Sequence, residues 1–413
     1  MDAHRRSEVE LPAGVQGRAT AGYDSAARLF ARMFAGKRGN GAGLAVYHRG
    51  EPVLDIWAGA ADAAGTPWTR DTGAMVYSAS KGVTATVMHR LADRGLIDYH
   101  VPIAEYWPAF GANGKGDITL RDVMTHRSGL SALPANTWEE VLDHELMERR
   151  VAAAAPDRLR GKPIYHALTQ GWILAGVARA VTGHTMAELY RTEVAEPLGV
   201  DGIHLGRPPA DAPTVTAALV GSAKALCESA YARPTASLAA RLPGPFRASL
   251  RSIYFPGLEA ALAGEDPPIL TTQLPAGNAV CTADGLAKMY SALACDGMVD
   301  GQRYLSPETV RTLEIVQTIQ PDRTLIVPCW HLGYHIFPSP RAPRGYGHLG
   351  AFGSGGWADP ASGISIGFVH NRMSVGWVSA DMTLLAWLIP AILAGARGSA
   401  ATAGSAGATT HVA

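Results

Sequence analysis

Apolar positions change their spacing along this chain, and each change predicts a different element. From 24 to 35, Ala27, Leu29, Phe30 and Phe34 recur at helical intervals and predict an amphipathic helix. Two short apolar runs at 42–48 and 52–59 flank Arg49-Gly50-Glu51 and predict a β-hairpin. Another run, Ala74 to Tyr77, feeds a helical pattern over 82–92, with Gly95 placed to end it. The middle of the chain predicts helices at 119–125, 167–182 and 186–195, the last stopped by Pro197 and Gly199. Residues 207–275 are rich in Pro and Ala with weak periodicity, so they are either partly helical or the rim of a site. Helices follow at 282–295 and 306–312, with Pro307 at the first position of the second. Short Gly-bounded strands then return at 330–337, 346–351, 355–359 and 364–371, before a closing helix at 382–393.

Strands at both ends thus bracket a helical middle. The pattern predicts an α+β fold: one antiparallel sheet built from N- and C-terminal segments, flanked by helices, with a mostly helical insertion. Residues 1–22 read as a leader with little core of their own. The α/β part is expected over about 23–105 and 276–394, and the helical part over about 106–275. The tail, 395–413, has the Ala/Gly/Ser/Thr composition of a disordered segment.

The chain has 413 residues, 47% of them hydrophobic, which is ample for a large core. The formal net charge is zero, and no basic stripe points to nucleic acid or to an anionic membrane. The charged N-terminus lacks an apolar core segment, and no run of 18 apolar residues occurs, so a cytoplasmic protein is expected. Cys227, Cys281, Cys295 and Cys329 are widely spaced and read as free thiols. Nucleotide-binding glycine patterns are missing, and His144-Glu145 is not followed by a second ligand histidine. No cofactor and no metal is expected.

The chemistry concentrates at Ser78-Ala79-Ser80-Lys81. On a helix, Ser78 and Lys81 share a face one turn apart. A serine hydroxyl is a poor nucleophile until a base takes its proton, and a buried lysine is such a base because burial disfavours its charged form. The alternative is a serine cap followed by a surface lysine.

Three further segments join it in order: 118–130, containing Thr125-His126-Arg127-Ser128-Gly129; Tyr165-His166-Ala167; and His348-Leu349-Gly350-Ala351 leading into 352–373. Together the four resemble the serine β-lactamase and penicillin-binding-protein superfamily, in particular the class C-like carboxylesterases of family VIII, over roughly residues 24–394. The resemblance implies that Ser78 is the acylated nucleophile, with Lys81 stabilising or accepting its proton. It places Tyr165 where the family has its catalytic tyrosine, with Lys81 and a protonated His348 as cations that acidify it. The backbone N–H groups of Ser78 and Ala351 would form the oxyanion hole. Gly350 would let substrate approach the strand edge.

Two departures from the lactamase pattern matter. Ala167 replaces the asparagine of Tyr-x-Asn, and His348 replaces the lysine of Lys-Thr-Gly. Both move the expectation from penicillin-like substrates to neutral esters. Trp330 and Trp357 are candidates for an acyl pocket or for core. His126 is expected to tie its turn together. Ser354 lacks the first glycine of a nucleophile elbow. The expected activity is hydrolysis of a small-molecule ester through a Ser78 acyl-enzyme. An acyltransferase using the same intermediate with an amine or alcohol acceptor, a β-lactamase or peptidase, and a non-catalytic binding protein remain open.

Overall fold

The computed structural model describes residues 7–37, 39–221, 252, 255–322, 329–337, 339–373 and 380–407. Its centre is a seven-stranded sheet in which every neighbouring pair is antiparallel. In chain order its strands are β1 (Val15–Ala19), β2 (Gly41–His48), β3 (Glu51–Gly59), β4 (His335–Ile336), β5 (Tyr346–Leu349), β6 (Gly355–Asp359) and β7 (Ile364–His370). Their spatial order is β1-β3-β2-β7-β6-β5-β4, so the N- and C-terminal strands meet at β2 and β7. The predicted hairpin closes at Arg49 (φ 55°) and Gly50 (φ 83°), two consecutive left-handed residues that match the twist of the flanking strands.

Helices cover both faces. On one lie α1 (Asp24–Phe34) and the terminal helix Leu384–Gly407. Phe30, Phe34, Leu385, Leu388 and Ile392 there bury Ala42, Leu44 and Val46 of β2 and Ile364, Ile366 and Phe368 of β7. Alternate residues of the same strands turn to the helix Ala283–Ala294 on the other face, because side chains alternate along a strand. At the centre of the face those residues are small, with Tyr47 and Val369 towards its ends. A Cβ at Gly367 would strike the Ala283 carbonyl, and one at Gly356 would enter the Tyr290 ring.

Beyond that second face stand the helices of the middle segment, including Ser80–Asp93, Leu120–Met124 and Thr169–Thr182. The Leu120–Met124 helix starts with a capping box, in which Thr119 and Asp122 satisfy each other's backbone N–H groups. A smaller mixed sheet, ordered Ile203–Leu205, Ala279–Cys281, Thr72–Met75 and Val215–Thr216, joins the two parts. No helix among the described residues is long and apolar enough to cross a membrane.

Several boundaries differ from the sequence pattern. The segment expected as a strand over 330–337 pairs only at His335–Ile336. The helix at 186–189 continues as a π-helical turn, Tyr190–Ala195, and passes Pro197 before Gly199 (φ 60°) ends it. Proline is tolerated there because it sits in the first turn of Glu196–Leu198. The terminal helix runs to Gly407 instead of yielding to a disordered tail at Gly395. Ala396 is buried against the sheet, and the alanines that follow are strong helix formers. Within 207–275, the described part holds Val215–Thr216, the helix Leu258–Ala261 and a 3-10 turn, Pro268–Thr271. Residues 222–251, 253 and 254, including Cys227, lie outside the described residues. Cys281, Cys295 and Cys329 are free thiols.

Candidate active site

Strand Thr72–Met75 delivers the chain into a single 3-10 turn, Tyr77–Ala79, that runs on into Ser80–Asp93. Ser78 and Lys81 therefore sit one turn apart. Ser80 pins the junction, donating to the Tyr77 carbonyl (2.5 Å) and accepting from Ala279 N–H (2.9 Å). Ser78 is partly accessible, while Lys81 is 2% exposed. The Lys81 amine donates to the carbonyls of Ala167 (2.6 Å) and Ala276 (2.8 Å) and lies 3.5 Å from Ser78 Oγ. Burial pushes its pKa well below the ordinary lysine value. A neutral amine has two N–H bonds and one lone pair. In its deprotonated form, with both N–H bonds given to the two carbonyls, the amine would turn its lone pair to the Ser78 hydroxyl.

Tyr165 is buried and hydrogen-bonded to Ser78. Its ring lies parallel to Trp330 (centroids 5.8 Å apart, 11° between planes), tilts against His126 (4.8 Å) and has the Lys81 amine 4.9 Å from its centre. Burial pushes its pKa up, so the side chain is a phenol and not a phenolate. The expected cationic partner, His348, does not supply a charge. It is 2% exposed, and burial together with the neighbouring His335 and Lys81 drives its pKa well below the usual histidine value. Its Nδ1 is 3.1 Å from the Leu349 carbonyl, and its Nε2 has no partner among the described residues.

The expected oxyanion donors come from segments packed directly together. A Cβ at Gly350 would strike the Val76 carbonyl, two residues before Ser78. Gly350 is thus a glycine because protein backbone, and not substrate, approaches it. Ser78 N–H belongs to the first turn of its helix, where no carbonyl one turn back competes for it. Trp357 does not line this site. It lies in the core on the opposite face of the sheet, with its indole N–H on the Phe337 carbonyl (2.9 Å). Trp330 is fully buried behind Tyr165, with its indole N–H on Asp322 (3.3 Å), so it backs the tyrosine instead of facing an open pocket. Ser354 is buried and bonded to the backbone of His370. A cavity of about 1010 Å³ elsewhere, lined by residues such as His144, Glu148, Arg179 and Gln273, includes none of these side chains. No group of three or more His, Cys, Asp or Glu among the described residues could hold a metal ion.

The family model for Beta-lactamase matches residues 26–389, a span that holds Ser78, Lys81, Tyr165 and His348. The chain belongs to the beta-lactamase family. A relative in it, Esterase/beta-lactamase LipL of Mycobacterium tuberculosis, is 52% identical over 357 residues, covering 86% of this chain and 82% of its own. A penicillin-binding protein homologue from Caulobacter crescentus superposes with a TM-score of 0.77 at 26% identity, over 92% of this chain and 99% of that one. A family VIII carboxylesterase superposes with a TM-score of 0.74 at 29% identity, over 91% and 98%. The chain is a hydrolase of the beta-lactamase fold.

This member of the beta-lactamase family places several buried histidines, to which the sequence assigned no part in the site, around Tyr165 and Trp330. His126, held at φ 60°, accepts from His166 N–H through Nδ1 (3.1 Å), so its ring ties the turn to the distant segment that carries Tyr165 and not to itself, and it packs on Tyr165 and Trp330. His166 bridges the Ile164 carbonyl (2.6 Å) and Ser128 Oγ (2.7 Å). His335 accepts from Leu349 N–H (3.1 Å) and lies edge-on to His348. Burial lowers the pKa of His166 and of His335 to about 4. The one local hint was that His126 and His166 both border segments already marked by motif.

Proposed function

We propose that this chain cleaves neutral carboxylic esters through an acyl-enzyme on Ser78, with water as the final acceptor. The observation that carries this reading is the buried Lys81 amine, which has two carbonyls on its N–H bonds and Ser78 Oγ on its third side. In the proposed cycle Ser78 Oγ attacks the ester carbonyl and its proton passes to Lys81. The N–H groups of Ser78 and Ala351 receive the oxyanion. Tyr165, protonated and bonded to Ser78, gives its proton to the departing alkoxide and recovers one from the Lys81 ammonium. The alcohol leaves, and water attacks the acyl carbonyl with the same groups acting in reverse.

The preference for neutral substrates rests on two positions. A neutral, buried His348 offers no fixed cation to a substrate carboxylate. Ala167 contributes a carbonyl to Lys81 but no side-chain amide to an acylamino group. The names of the family VIII carboxylesterase and of the M. tuberculosis relative both support ester cleavage, and the latter, esterase and beta-lactamase together, sets β-lactam cleavage beside it as the outcome to test.

The test is hydrolysis of p-nitrophenyl esters from acetate to decanoate, beside a chromogenic cephalosporin, for wild type and Ser78→Ala. Ester turnover that vanishes in the variant, with little cephalosporin cleavage, is the expected result. Residual ester turnover at the wild-type rate in Ser78→Ala would sink the mechanism, and fast cephalosporin cleavage would overturn the substrate preference. An alcohol or amine added to the assay separates water from other acceptors: a dominant transfer product would make the chain an acyltransferase.

A further inference from the structure

Five large hydrophobic side chains are exposed among the described residues, and three of them fall within one short loop: Ile315 (58%), Val316 (40%) and Ile319 (91%). Single exposed hydrophobics are ordinary, but three in five residues are not. The loop is not exposed because it frays. The N–H groups of Gln317 and Thr318 both donate to the Trp330 carbonyl (2.8 and 3.3 Å), and Trp330 N–H returns a bond to Thr318 Oγ1 (3.1 Å). Asp322, at the end of the loop, is buried and accepts the Trp330 indole N–H. The aliphatic tips are therefore displayed from a fixed platform, and that platform is the residue stacked on Tyr165.

Cations rim the loop. Arg121 donates to the Gln317 side chain (2.8 Å). Arg160 and Lys162 share a cavity wall with Gln320 and Pro321. Arg311 is exposed one turn before the apolar residues. Lys162 forms no ion pair among the described residues, while Arg160 pairs with Asp117 (2.7 Å). Glu314 is the one acid between 311 and 321.

We infer that the loop 315–321 docks on an anionic lipid surface, inserting Ile315, Val316 and Ile319 at the boundary of headgroups and acyl chains while Arg121, Arg160, Arg311 and Lys162 meet the headgroups. Protruding aliphatics within a ring of lysine and arginine suit a lipid interface. A protein partner more often selects aromatic anchors and excludes lysine. Docking would bring the Tyr165 end of the site to the lipid, the phase in which apolar esters concentrate.

The experiment is co-sedimentation of the full chain with vesicles of phosphatidylcholine alone and of phosphatidylcholine mixed with phosphatidylglycerol. Wild type is expected to bind the mixed vesicles and to be released as salt rises. Ile319→Asp should weaken binding by about tenfold or more, and Lys162→Glu by about fivefold or more. Neither residue belongs to the catalytic machinery, so both variants should hydrolyse p-nitrophenyl acetate in solution at the wild-type rate. Ile319→Trp should bind the mixed vesicles at least as tightly as wild type, with a blue shift in its fluorescence. Absence of binding to the mixed vesicles, equal binding by wild type and Ile319→Asp, or equal binding to both vesicle types would overturn the proposal. So would a dimer in gel filtration that Ile319→Asp converts to monomer, which would assign the patch to a second copy of the chain.

Discussion

The two faces of the seven-stranded sheet are built from the same strands and do opposite work. Towards α1 and the terminal helix, β2 and β7 present Leu44, Val46, Ile366 and Phe368 to Phe30, Phe34, Leu385 and Leu388, all fully buried. Towards Ala283–Ala294 the central alternate positions are Gly43, Ala45, Ser365 and Gly367, with Ser365 Oγ bonded to the Ala287 carbonyl (2.8 Å) and Tyr47 and Val369 at the ends of the face. Bulk on one face holds the sheet together. Smallness on the other lets a helix backbone settle against it, and Tyr290 of that helix in turn fits into the space left by Gly82, directly after Lys81. Site geometry thus depends on one side of a single layer, the side that also faces the larger core, while the other side is closed by α1 and the terminal helix alone.

That division is testable, starting with its strongest consequence. Lys81→Met should lower kcat/KM for a p-nitrophenyl ester by about 10³-fold or more, while circular dichroism still reports a folded chain. Activity within tenfold of wild type would return the base role to another group. Phe34→Ala, on the closed face, should do the reverse: it should remove about 3–5 kcal/mol of stability in urea titration and leave kcat/KM within about twofold where the variant is folded. Gly367→Ala tests the border, because the added methyl meets the Ala283 carbonyl and the Ala287 N–H. It should cost about 1–3 kcal/mol, and an unchanged stability would mean that the helix lies less tightly on the sheet than described.

A further test concerns acid, where the contributions of several buried rings add. Burial lowers the pKa of His166, His335 and His370 to about 4 and that of His89 to about 3, and pushes His126 and His348 well down. Below the ordinary histidine value of 6.5 the unfolded chain therefore binds protons that the folded chain refuses. Stability is fully present above pH 6.5 and falls as pH drops towards 4, by about 1.4 kcal/mol per pH unit for each such histidine. Chemical denaturation at pH 7, 6 and 5 measures it, and a flat profile would show that these rings take up protons without unfolding.

Much of this architecture was legible in local pattern. The Arg49-Gly50 hairpin and the Pro307 helix start are rules of neighbours, and the chain obeys them. That Ser78 and Lys81 share one turn was legible for the same reason, since they are three residues apart. What the sequence could not reveal depends on approach across the fold. Gly350 looked like an opening for substrate until Val76 was seen against it. Trp330 and Trp357 were equivalent as letters, yet one backs Tyr165 and the other is core on the far face. His348 looked able to carry a charge until His335 and the buried Lys81 were found beside it. The extension of the last helix into an Ala-rich tail depends on Ala396 finding the sheet.

The pairing of β2 with β7 also sets a timetable. Ala45 lies opposite Gly367, so the central hydrogen-bond ladder joins the start of the chain to nearly its end. On a ribosome adding about 5–20 residues per second, the β2–β3 hairpin would wait on the order of half a minute for its partner strand. During that interval a strand edge made of Gly, Ala, Leu and Val stands uncovered, the kind of surface that chaperones recognise and that aggregates form upon. Ala351, too, is made long after Ser78. On the proposed mechanism a nascent chain is inactive until that late segment is made, and overexpression of this protein should depend on translation speed and temperature more than its final stability would suggest.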